Sequence, residues 1–329
     1  MRFQNHSDFA ELHTHLGAAV DPPILWSIAH RQGIKLPSKN YWDFEDMITL
    51  SKNERNRNLD ELNDNFFHWT ELIQSSPEAI EESVQSVIGG GYRKCNLVLQ
   101  ELRFNPMKRN RGGERDLDHI IMSALWGLER ALLEYPQVKA GIILMMDRML
   151  TFKQNEIILK KAIKYQSQGI IGVDVAGPPR TAFSMEKHAP LFRIARRAGL
   201  GITLHTGEVE SLKELRYVVN VIKPERIGHG IKCVTDKNLM ATIVKNNIIL
   251  ETCPTSNLRN SVVKNLREMK NNYKTLLKHR VKFTINTDGP EMYRTNIYKE
   301  HEFLRKSRIL NRSQLAHCNK LAFDASFIK

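Results

Sequence analysis

Eight short apolar segments punctuate the chain, with longer stretches of helical spacing between them. They are Phe9–Leu16, Asn96–Phe104, Lys139–Asp147, Gly169–Gly177, Gly201–Glu208, Arg226–Ile231, Ile248–Ser256 and Val281–Gly289. Most are rich in Ile, Val and Leu without strict alternation, the pattern of parallel strands buried on both faces. Of the helical stretches, Pro77–Val87 opens on a proline suited to the first helical position, and Leu117–Glu134 sets Ile121, Leu125, Leu128 and Leu132 on one face. Asn155–Gln166 and His188–Ala198 read alike. Strand and helix in repeated alternation predict an α/β chain closed as a (β/α)8 TIM barrel, with a doubly wound open sheet as the second reading. The stretch from Asp21 to Gly91 is too long for one crossover helix. It reads as a helical insertion after the first strand, laid over one mouth of the barrel. With no internal repeat, low-complexity tract or linker, residues 1–329 read as one domain.

Composition narrows the class. At 41% hydrophobic and 26% charged residues the chain is ordinary for a globular protein, which excludes disorder throughout, a collagen repeat and a disulfide-stapled miniprotein. Apolar runs such as Gly141–Met146 fall far short of the ~20 residues of a membrane span, so the expectation is a soluble protein. The net charge of +13 and a pI near 9.6 raise the question of a nucleic-acid partner. The basic residues are spread out, however, and the densest runs, Lys108–Arg111 and Lys264–Lys282, read as solvated surface. Cys95, Cys233, Cys253 and Cys318 are widely spaced, with no Cys-x-x-Cys pair, and the N-terminal residues have no signal-peptide pattern. Buried thiols in a cytoplasmic protein are expected.

Polar residues collect where the strand segments end: His13-Thr14-His15, His205-Thr206-Gly207-Glu208, His229 and Thr287-Asp288. In a parallel barrel these ends share one face, where catalytic groups gather. His13 and His15, two apart on a strand, point to the same side. With a third His and an Asp from other strands they suit a divalent transition metal such as zinc, which lowers the pKa of a bound water. Glu208 then reads as a proton donor to substrate and His229 as a group that holds or deprotonates the attacking water. The fourth segment, Gly172–Pro178, contains no lysine to bridge two metals, so one metal per chain is expected.

Six motifs, in order and at sensible spacing, resemble the adenosine deaminase family: Glu11-Leu-His-Thr-His-Leu16, Asp174-Val-Ala-Gly177, Leu204-His-Thr-Gly-Glu208, Arg226-Ile-Gly-His-Gly230, Leu250-Glu-Thr-Cys-Pro254 and Asn286-Thr-Asp-Gly-Pro290. The resemblance implies a (β/α)8 barrel that holds one zinc and replaces the amino group at C6 of a 6-aminopurine with oxygen. His13, His15, His205 and Asp288 would be the metal ligands, and Glu208 would protonate N1. His229 and Asp288 would orient the attacking hydroxide, and the Gly177 N–H would meet N3. The substrate-facing set is completed by His15 and by Gly17 and Gly289, where the chain departs from the family.

At Gly17 the family carries an Asp that holds the ribose 5′-hydroxyl; at Gly289 it carries an Asp that contacts N7. Both departures remove carboxylates that read the substrate and leave the hydroxide machinery alone. They bring a 5′-modified adenosine such as aminodeoxyfutalosine, or adenine itself, into consideration beside adenosine. Leu59, Leu62, Phe66 and Trp69 of the insertion share a helical face suited to covering the substrate. The partner expected is a small purine, with neither nucleic acid nor membrane. The readings set against this are another metal hydrolase on the same barrel and a basic nucleic-acid-binding protein with a vestigial site. The His-x-Glu and Pro-Cys-x-x-Cys zinc signature of nucleic-acid deaminases is absent from the sequence.

Overall fold

Eight parallel strands follow one another around one sheet in chain order. They are β1 Phe9–His15, β2 Leu97–Phe104, β3 Lys139–Asp147, β4 Ile170–Ala176, β5 Gly201–Thr206, β6 Arg226–His229, β7 Ile249–Thr252 and β8 Phe283–Ile285. The structure is a computed structural model and describes residues 8–50, 55, 59–110 and 116–329; Arg111, the Leu59 side chain and the first seven residues lie outside the described part. Closure is made beyond the last paired residue of β8. The His15 N–H donates to the Asp288 carbonyl at 2.8 Å, and the Asp288 N–H to the His13 carbonyl at 3.0 Å. The Leu12 N–H adds a bond to Asn286 Oδ1 at 3.0 Å. The sequence reading of a TIM barrel is the observed fold, and the strands that differ from expectation do so mainly at their ends. Glu208, Ser256 and Gly289 lie past the ladder because their segments turn out at the mouth.

Helices surround the strands over a buried apolar core that includes Ile142, Val173 and Ile202. Leu117–Glu134 spans the expected residues, while others start where a cap stands and not where apolar spacing begins. A Thr151–Gln154 capping box opens Phe152–Lys164, and Ser184 caps Met185–Arg197. The helix from Pro77 continues through Gly89–Gly91 to Cys95, where Asn96 in a left-handed conformation ends it. Packing against Leu117–Glu134 carries it through residues of poor helix propensity. The four cysteines are buried and free. Among the described residues, no helix is long and apolar enough to cross a membrane.

The insertion forms helices Pro22–Arg31, Tyr41–Met47, Leu59–Leu62 and His68–Ile73 before the long Pro77–Cys95 helix, with a π-helical turn at Asn63–Phe67. Its Leu50, Leu62 and Phe66 pack with Ala18, Met292 and Tyr293 at the mouth. The π turn admits an extra residue and breaks the face read from the sequence. Phe67 lines the cavity beside Leu62, whereas Trp69 packs against the main core.

Candidate active site

The C-terminal ends of β1, β5, β6 and β8 deliver four imidazoles and a carboxylate to one point. His15 Nε2 is 3.0 Å from His205 Nε2 and 3.3 Å from Asp288 Oδ1, and His13 Nε2 is 3.6 Å from the same oxygen. His229 also falls within reach, forming a three-histidine grouping with His13 and His205 beside the His13, His15 and Asp288 group. Burial pushes the His205 ring down to about 4 and His15 well below its ordinary value, against the pull of neighbouring carboxylates. Neutral rings offer lone pairs.

What aims those lone pairs is a layer of charge beneath them. His13 Nδ1 is fixed by Glu251 Oε2 at 2.7 Å, and His205 Nδ1 by Asp174 Oδ2 at 2.9 Å. Each ring thus turns its Nε2 to the common point, and the buried His13 Nε2 has no hydrogen-bond partner there. Carboxylate behind imidazole, with the far nitrogen directed at a shared centre, is the arrangement that orients zinc ligands. The donor set fits a divalent transition metal.

Arg103, on β2, binds both carboxylates, with Nη1 2.8 Å from Asp174 and Nη2 2.9 Å from Glu251. Burial would raise Asp174, but the hydrogen-bonded His205 ring and the Arg103 guanidinium hold it well below the usual carboxylate range. Glu251 is likewise held low, against burial, by Arg103 and Arg226. Sequence reasoning assigned none of these a role. The available signal was a charged residue inside a strand buried on both faces, which must find a partner.

Glu208 and His229 face each other across the same cavity, Oε2 to Nε2 3.7 Å. Burial, reinforced by Glu210 and Asp288, pushes the Glu208 carboxyl up to about 7 against the pull of His229. His229 Nδ1 lies 2.9 Å from Asn257 Oδ1, which leaves Nε2 for the cavity; Asp288 Oδ2 accepts from Ser256 Oγ at 2.5 Å. His229 and Asp288 both take left-handed backbone conformations, φ +61° and +67°. Non-glycine residues adopt these rarely, and they gather at functional sites.

The cavity holds roughly 600 Å³ of empty space including its open mouth, within the usual range for small-molecule sites. Gly177 lines it at φ +92°, where a Cβ would fall 2.5 Å from Asp147 Oδ1, so only glycine fits. Gly17 and Gly289 are not among the lining residues. A Cβ at Gly17 would lie 3.1 Å from both Arg109 Nη2 and the Phe67 ring, and one at Gly289 would lie 2.8 Å from Ala18 Cβ. Lys108 and Arg109 of the nearby basic run are not solvated surface, contrary to their sequence reading. Arg109 is buried against Glu71 at 3.1 Å, and Lys108 lines the cavity 2.8 Å from Asp147. Nearby carboxylates turn these two cations inward. The basic residues of Lys264–Lys282 are exposed as expected.

A parallel barrel with histidines and an aspartate clustered at its C-terminal mouth is the architecture of the amidohydrolases. The family profile "Adenosine deaminase" matches residues 9–329, and the chain belongs to that family. An adenosine deaminase of Clostridium kluyveri is 27% identical over 317 residues, covering 96% of this chain and 88% of that one. Two solved structures share the fold. The Arabidopsis N6-mAMP deaminase has TM-score 0.82 at 22% identity, covering 98% of this chain and 94% of that one. The adenine deaminase of Arthrobacter aurescens has TM-score 0.86 at 19% identity, with the same coverage. The chain is an aminohydrolase that acts on purines.

Proposed function

We propose that this protein hydrolytically deaminates a 6-aminopurine nucleoside, adenosine or a close relative, with one zinc held by His13, His15, His205 and Asp288. The observation that carries the reading is that the buried Glu208 carboxyl, 3.7 Å from His229 Nε2, shares one cavity with His15, His205, Asp288 and Gly177. Bound there, zinc supplies hydroxide at neutral pH by lowering the pKa of water.

The residues divide the remaining tasks. The Gly177 N–H donates to N3 and sets the ring plane. Glu208 delivers its proton to N1, which draws electrons from C6 and opens it to attack. His229 Nε2 and the Asp288 carboxylate hold the attacking oxygen in line with C6 and accept its proton. The proton is then passed to the departing amine, and ammonia leaves. Leu62, Phe67 and Met292 give the cavity an apolar lining, which strengthens each of these polar contacts.

The test is a spectrophotometric screen, with ammonia release as a second readout. It runs over adenine, adenosine, 2′-deoxyadenosine, AMP, N6-methyl-AMP, methylthioadenosine and aminodeoxyfutalosine. Turnover of a nucleoside above the free base and the nucleotides supports the reading. Turnover of adenine alone moves the substrate class to the base, and no turnover of any compound overturns the proposal.

A further inference from the structure

The opposite mouth of the barrel is stoppered by the segment that follows the last helix, and this stopper is linked through buried charges to His13. The Phe327 ring packs against Gly172 of β4 and Gly201 of β5. A Cβ on Gly201, at the start of β5, would fall 2.3 Å from its ring. The Arg226 guanidinium lies over the ring, Cζ 3.5 Å from its centroid. Arg226 donates from Nη1 to the Ala325 carbonyl at 2.8 Å and pairs through Nη2 with Glu101. Glu101 Oε1 in turn accepts from the Ser326 hydroxyl at 2.7 Å and the Phe327 N–H at 2.6 Å.

The guanidinium is therefore held on all sides by residues of the stopper and by Glu101. Its remaining nitrogen, Nε, lies 2.7 Å from Glu251 Oε1, an ion-pair contact whose N–H is not aligned for a linear hydrogen bond. Glu251 is the carboxylate whose other oxygen fixes His13 Nδ1 at 2.7 Å. Arg226, Glu101 and Glu251 are all essentially inaccessible to solvent, so a displaced charge has no water to turn to.

We propose that Phe327, through Arg226 and Glu251, is a positioning residue for the metal ligand His13. The inference rests on the reading of His13 as a zinc ligand. Carboxylates behind a metal-bound imidazole fix its orientation, and their loss costs about 10–100-fold in metal affinity. Phe327 acts two links further back. Phe327→Ala lets the guanidinium move off Glu251, and His13 then holds zinc less firmly. A stopper that serves only as packing would cost stability and leave the metal alone.

The experiment measures zinc release from purified holoenzyme to a chromogenic chelator, alongside thermal stability and kcat with and without added zinc. Wild type is compared with Phe327→Ala, Phe327→Leu, Glu101→Gln and a control, Leu315→Ala, which removes buried contacts from the last helix without touching this chain of residues. The expected result is release about 10-fold faster in Phe327→Ala and Glu101→Gln, at the low end of the outer-partner range. Phe327→Leu, which keeps bulk without the aromatic face, should lie between, and saturating zinc should restore kcat in each. Leu315→Ala should lose stability and release zinc at the wild-type rate. Wild-type release rates in Phe327→Ala and Glu101→Gln, or equal acceleration in Leu315→Ala, overturn the proposal. Should Phe327→Ala not fold, Glu101→Gln and Phe327→Leu decide it. Holoenzyme that carries no zinc overturns the metal reading instead, so the two failures are told apart.

Discussion

The Nε2 atoms of His15 and His205 face each other at 3.0 Å, although 190 residues separate them in the chain. Burial keeps both rings neutral, and two lone pairs aimed at one another repel unless a proton or a cation lies between. Purified protein is therefore expected to hold close to one zinc per chain and to lose activity with a chelator. His205→Ala should weaken zinc binding by more than the ~10–100-fold that an outer partner is worth. Metal analysis and a deamination assay on the same samples check this, and full activity without metal would end the mechanism.

Glu208→Gln separates proton delivery from metal binding. The amide keeps the shape and cannot give N1 its proton, so kcat should fall by ~10²–10⁴-fold, the usual worth of a positioned acid or base. Zinc content should stay at the wild-type level. A variant isolated without metal would make Glu208 a ligand.

Arg103 stands between two buried carboxylates, and removing it leaves both without their shared counter-charge. Arg103→Gln is expected to destabilise the fold by ~3–5 kcal/mol, the cost of breaking a buried pair. Urea unfolding of wild type and variant measures it. An unchanged midpoint would show that Asp174 and Glu251 find compensation elsewhere.

Glu300 gives a pH signature outside the histidine cluster. It accepts from the Thr255 N–H at 3.1 Å and the Thr295 hydroxyl at 2.6 Å, and burial pushes its carboxyl up from 4.5 to about 7. The folded state binds this proton more tightly than the unfolded chain. Its stabilising contribution is therefore complete below pH 4.5 and is lost as the pH rises to about 7. At ~1.36 kcal/mol per pH unit the loss is about 3 kcal/mol. Glu300→Gln should flatten the stability profile in that window by this amount; parallel profiles would refute the assignment.

Gly17→Asp does not simply restore the family's sugar-binding carboxylate, because Arg109 Nη2 lies 3.1 Å from where its Cβ would stand. The new side chain is expected to pair with that guanidinium. The ratio of kcat/KM for adenosine over 5′-deoxyadenosine should then move by less than the ~10-fold that a charge-assisted hydrogen bond confers. The double variant Gly17→Asp/Arg109→Gln should show the larger shift. A large change in the single variant would place the carboxylate in the cavity.

What could be read in the sequence was what lies on a strand or at its end. His13, His15, His205 and Asp288 announced themselves because polar residues closing apolar segments of a parallel barrel share one mouth. Arg103, Glu251 and Arg226 sit inside the strands, and which charges pair across a barrel depends on tilt and register that one-dimensional spacing does not carry. Phe67 was hidden for another reason. A π turn slips the phase of the insertion by one residue, and helical periodicity alone points to Phe66. Gly17 was legible as a departure from the family, but the Arg109 and Phe67 side chains beside it come from segments 50 and more residues away.

The seam where Asp288 meets His13 and His15 joins the first strand to the last, across some 274 residues between Leu12 and Asn286. A metal seated there is a clasp on the ring. It would have nothing to fasten until the eighth strand has arrived, so a ribosome-bound chain lacking that strand would carry three of the four proposed ligands on an open ring. Once closed, binding free energy becomes resistance to unfolding, growing as RT ln(1 + [zinc]/Kd). Metal starvation would then be felt twice, as lost turnover and as a barrel more easily opened along that one join.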